Sequence, residues 1–143
     1  MRNIISGTTI THLIRLQRGE DAFPNILEYC RKNNIKAATL GIIGACSQVQ
    51  LAFYSLESKE YENQNFDKDL EVLAVQGNIA SLDGELMIHA HGSFSERGCM
   101  AVRGGHINSM TVSATLEVTI NAFDGEISRE YDEDTGLNLL CGQ

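Results

Sequence analysis

The chain has 143 residues, 11 basic and 19 acidic, for a net charge of minus 8. That length builds one ordinary domain with a core of its own, without needing disulfides or a structural metal. The few Lys and Arg are scattered, which argues against nucleic acid as a partner because phosphate contacts need a concentrated positive field. No apolar stretch approaches the length of a membrane span and the start of the chain lacks a signal-peptide pattern, so a cytoplasmic location is expected. Cys30, Cys46, Cys99 and Cys141 are far apart and form no C-x-x-C pair. They read as reduced thiols, three of them small core residues, with Cys46 a further site-lining candidate because it follows a glycine-rich turn.

In chain order, residues 1–8 carry no periodicity and read as a loose lead-in. Residues 9–17 alternate through Ile10, Ile14 and Leu16, the pattern of a strand, with His12 on the same face as a packed rather than ligating histidine. Asp21 offers an N-cap, Pro24 fits the first helical turn, and Phe23, Ile26, Leu27 and Cys30 recur at helical spacing, until Asn33-Asn34 supplies a left-handed stop. The small, apolar run 37–45 suits a strand buried on both faces. Residues 48–55 alternate again, 55–59 turn, and 60–66 return as a polar edge strand. Residues 70–80 form a further strand that meets Asp83-Gly84, a two-residue hairpin signal, and 85–94 come back.

That returning strand carries the chemistry. His89 and His91 are two apart, so a strand points both imidazoles to one face, away from Leu86, Ile88, Ala90 and Phe94. Gly104-Gly105-His106 follows, with glycines that permit close approach of another backbone. Two same-face histidines and a third from a neighbouring strand present three nitrogens to one ion and leave a position open for water or an anion. Arg103 is a candidate carboxylate clamp and Glu117, on the β-branched strand 111–123, a candidate general acid or base. Beyond Asp124 the acidic residues read as a solvated extension. The sum is one helix and about seven strands, an α+β domain dominated by antiparallel sheet.

Five motifs in order resemble the plants and prokaryotes conserved (PPC) domain family: Arg15-Leu16 with Gly19-Glu20-Asp21, then Gly41-Ile42-Ile43-Gly44-Ala45, Glu71-Val72-Leu73 running into Gly77-Asn78-Ile79, His89-Ala90-His91, and Gly104-Gly105-His106. The resemblance spans residues 9–123. It implies a compact α+β domain that assembles as a homotrimer with histidines near the subunit boundary, zinc held by His89, His91 and His106, and a fold similar to acetolactate decarboxylase. It also implies a metal-dependent protein that acts on or senses a small carboxylate-bearing molecule, or else a trimeric interaction module or DNA-associated regulator whose metal is structural. Plant members read DNA through AT-hook segments, and this chain has no R-G-R-P core.

Overall fold

A computed structural model describes residues 3–99 and 101–141. Seven strands and one helix follow in the order β1 (Thr9–Gln17), α1 (Ala22–Lys32), β2 (Ala38–Ser55), β3 (Glu60–Leu82), β4 (Glu85–Ser95), β5 (Val102–Phe123), β6 (Ser128–Asp132) and β7 (Leu137–Cys141). All belong to one sheet, antiparallel except where β6 meets β3. The α+β class and the strand number agree with the sequence reading, but the strands are divided differently. β2 and β3 each join two stretches expected to be separate, and β5 runs unbroken from the Gly-Gly-His segment to Phe123.

The joins are made by irregularities. β2 slips register against β3 and β5 around Gly44 and Cys46, which resets the inward face without ending the strand. The run 37–45 therefore alternates, with Thr39 and Ile43 exposed, rather than being buried on both faces. Between β3 and β4, Asp83 and Gly84 both take positive φ, 52° and 84°, as a tight hairpin whose twist matches its strands requires.

Pairing closes on itself at one end. β2 lies between β3 and β5, and β4 pairs with both β3 and β5, so these four strands form a ring, while β1 extends the sheet along the far half of β5. The helix packs on β4 and β5 with Phe23, Ile26 and Cys30 inward, against a core that includes Leu40, Phe94, Leu116 and Ile120. Asp21 caps it differently from expectation. Its carboxylate accepts a bond from the Thr111 hydroxyl at 2.9 Å and makes no bond to a helix amide, and Asn34 supplies the left-handed residue at the other end.

Two peripheral expectations need correction. Residues 1 and 2 lie outside the described residues, but Ile4 and Ile5 pack with Phe123 and Leu140 against Ala37, Ala80 and Ile127, so the lead-in is not loose. The acidic tail is not a solvated extension either: β6 and β7 form a hairpin laid on the sheet, starting where Ser128 pairs with Ser81. Its turn is pinned by the Tyr54 hydroxyl, which donates to the Thr135 carbonyl at 2.7 Å, and by Lys59, which donates to the Glu133 carbonyl at 2.5 Å. Glu130, Glu133 and Asp134 are exposed on the hairpin, and sequence alone does not distinguish that from a free tail.

Candidate metal centre

The ring closure assembles the histidines. Where β4 meets β5, His91 and His106 are direct cross-strand partners, and His89 lies two residues before His91 on β4. Close approach is needed here. A Cβ on Gly104 would sit 2.7 Å from the Gly92 carbonyl oxygen, and one on Gly77 would sit 2.5 Å from that of His89. Ala90 and Phe94, on the other face of β4, are buried in the core, so the alternation read from the sequence is the one observed.

The three rings converge, with centroids 5.1 to 5.3 Å apart and one potential ligand atom from each lying within 4.8 Å of the others. Nε2 of His89 and Nε2 of His91 are 3.2 Å apart. Two nitrogens each about 2.0–2.1 Å from one tetrahedral ion lie roughly 3.4 Å apart, so the donors fit a shared ion with little adjustment. A second observation agrees: Nδ1 of His106 is buried and has no hydrogen-bond partner. The Tyr61 ring flanks His106 at 5.1 Å and in turn meets Tyr54.

The electrostatics keep lone pairs available. Burial first, then the charge of Arg129, then His106 and His91 push His89 down to about 4. Burial, followed by His91 and Arg129, likewise lowers His106. Neutral imidazole is the form that ligates a metal. His91 is exposed and gives the cluster its face toward solvent.

The other candidates do not join the cluster. Arg103 is three residues from His106, hence on the opposite side of the strand, and its Nε donates to the Glu96 carboxylate at 2.7 Å while the guanidinium lies over Phe66. Lys68 shares the same carboxylate. Arg103 is therefore part of a surface ion-pair group. Glu117 is exposed eleven residues further along β5, roughly 36 Å along the strand at ~3.3 Å per residue, between Arg15 of β1 and Ile43 of β2. It is too distant to move a proton at the histidines of the same chain. Cys46 is fully buried in the core with its thiol pushed up to about 12 by burial, so it is packing rather than a ligand. Cys30 is also core, whereas Cys99 is exposed in the turn before β5 and Cys141 is half-buried on β7. His12 shares a 2.9 Å hydrogen bond with the Tyr29 hydroxyl, the packed role expected of it.

Sequence reasoning missed Arg129. It lies on β6 and is 8% exposed, with Nη1 donating to the Asn138 carbonyl at 2.7 Å and Nη2 to Oδ1 of Asn78 at 2.6 Å. Asn78 is the cross-strand partner of His89. The available signal was Asp134-Thr135-Gly136 followed by Leu137, Leu139 and Leu140, a turn leading into a half-apolar strand, which makes the preceding residues a strand as well.

Fold and site define a small α+β domain with a three-histidine centre fit to hold a metal ion. The chain belongs to the Plants and Prokaryotes Conserved (PCC) domain family, whose model matches residues 5–124. It is similar to a metal-containing protein from Archaeoglobus fulgidus, with 32% identity, coverage of 99% of both chains and a TM-score of 0.91. A plant- and prokaryote-conserved protein from Pyrococcus horikoshii is 27% identical, with 98% of this chain and 99% of that chain covered and a TM-score of 0.88. Acetolactate decarboxylase from Bacillus subtilis shares the fold, with a TM-score of 0.56 at 17% identity over 82% of this chain; the match spans 54% of that enzyme. No curated protein matches in sequence. Among the described residues no helix is long and apolar enough to cross a membrane.

Proposed function

We propose that this chain binds one divalent ion, zinc, through His89, His91 and His106, and uses the ion's open position to bind a small carboxylate-bearing molecule in the cytoplasm. The observation that carries this reading is the convergence of three imidazoles, two of them held neutral by burial, on one point of the sheet. An all-imidazole set suits zinc among the common divalent ions, and three ligands rather than four are the pattern of sites that keep an exchangeable position. Zinc held there supplies a Lewis-acid centre for an oxygen of the bound molecule. The metal-containing description of the Archaeoglobus fulgidus relative supports the same assignment.

Sensing or binding is the better reading than a lyase or hydrolase reaction. No carboxylate joins the cluster among the described residues, and Glu117 and Arg103 lie elsewhere, so a dedicated proton carrier is missing from this chain's site. The test is a thermal-shift and turnover screen of small carboxylic, hydroxy and keto acids on metal-free and zinc-loaded protein. Stabilisation that requires zinc, without turnover, supports the proposal. Turnover would make the protein an enzyme, and acids without effect on the zinc-loaded form would remove the small-acid reading.

One observation favours a second reading, a homotrimeric interaction module with a structural ion. Leu13 and Ile43, 74% and 54% exposed, line one groove on the outer face of the sheet. Large exposed aliphatic side chains grouped on a sheet face mark an association surface.

A further inference from the structure

Arg129 is brought to the histidines by a segment beyond residue 124, where the match to the family ends. Its guanidinium is buried, yet both of its bonds go to neutral oxygens and its Nε has no partner. No carboxylate pairs with it among the described residues, in contrast to Arg31, Lys32, Lys36, Lys68 and Arg103, all of which have acidic partners. A tie between hairpin and sheet needs no charge, and a neutral amide would make it without the desolvation cost of a buried cation. The uncompensated charge therefore points to an anion that arrives from outside. It sits behind Asn78, the strand partner of His89, in a water-poor environment where a fixed charge acts strongly on its surroundings.

We propose that Arg129 is the specificity-determining residue of the histidine site: its fixed positive charge, delivered by the β6–β7 hairpin, selects anionic over neutral ligands at the open position of the bound ion. The inference rests on the metal-binding reading and adds to it the residue that sets the preference for anionic ligands. The charge need not touch the ligand. A buried cation behind the cluster raises the affinity of anything negative in front of it and opposes the metal ion itself. Those two effects have opposite signs, which separates the proposal from a purely structural role.

The experiment uses cobalt(II) as a visible probe of the site, in wild type, Arg129→Gln and Arg129→Lys, titrated with azide as the anion and imidazole as the neutral ligand. In Arg129→Gln, cobalt affinity is retained or rises, azide affinity falls about tenfold, and imidazole affinity is unchanged. Arg129→Lys keeps the charge and keeps the preference for azide. A parallel loss of cobalt, azide and imidazole binding in Arg129→Gln would show a structural role, and unchanged azide affinity would show no role; either overturns the proposal. Should Arg129→Gln not fold, Arg129→Lys decides: a retained azide preference supports the charge reading and a lost one overturns it. Wild-type protein that takes up no cobalt overturns the metal-binding reading and this inference together, whereas normal uptake with no effect of Arg129 overturns this inference alone.

Discussion

His91 on β4 and His106 on β5 face one another as direct strand partners at the place where the sheet closes into a ring. The histidine cluster is thus a consequence of closure, and anything that holds the two strands apart opens it. Gly104 is the sensitive point, because an added Cβ would meet the Gly92 backbone oxygen at 2.7 Å and backbone cannot step aside as a flexible side chain does. Gly104→Ala is expected to cost about 1–3 kcal/mol in stability and to weaken metal uptake. Thermal unfolding together with a metal titration checks both, and wild-type behaviour in each would mean that the strands tolerate separation.

The histidine pair was legible because a spacing of two has only one meaning on a strand, and the third histidine followed from its glycines. Arg129 was not legible. Its neighbours Glu126, Glu130, Asp132, Glu133 and Asp134 look like solvated charge, and only the pairing of Ser128 with Ser81 turns one residue of that run inward. Similarly, Gly44 was read as part of a short buried strand and Cys46 as the residue after a glycine-rich turn, whereas both sit at register slips within one strand of 18 residues. Bulges break the period of two on which strand reading depends. Arg103 looked like a clamp because it is near His106 in sequence, but an odd separation puts it on the opposite face.

The hairpin that carries Arg129 should loosen in acid. Asp132 accepts bonds from the Thr135 hydroxyl at 2.6 Å and the Thr135 amide at 2.9 Å, and these, with Lys59, hold its carboxyl below the ordinary value. A carboxylate with a depressed folded-state pKa stabilises above its unfolded value, about 3.9, and loses that contribution as pH falls through the folded one. Asp132→Ala should therefore have a lower urea midpoint than wild type near pH 6, with the gap closing below about pH 4. A gap independent of pH would show that the carboxylate charge is not what holds the turn.

Association through the outer sheet face is a separate expectation. Light scattering should give three times the chain mass, and Leu13→Lys, which places a charge in the groove shared with Ile43, should shift the protein to monomer. A wild-type monomer at micromolar concentration, or a trimer untouched by Leu13→Lys, would place the interface elsewhere or remove it.

Duplex DNA should not bind at physiological salt. A net charge of minus 8 repels phosphate, and Lys36, Lys68 and Arg103 are already committed to carboxylates. Fluorescence anisotropy with a labelled duplex checks this, and tight, salt-sensitive binding would reveal a basic surface that the net charge conceals.

The central claim is that His89, His91 and His106 hold one ion together. Elemental analysis of protein stripped of metal, reconstituted with zinc and desalted, compares wild type with His89→Ala and His106→Ala. The account predicts one zinc per chain in wild type and near-complete loss in each variant, with circular dichroism showing that both variants remain folded. Equal zinc content in wild type and folded variants, or none in wild type, would contradict it.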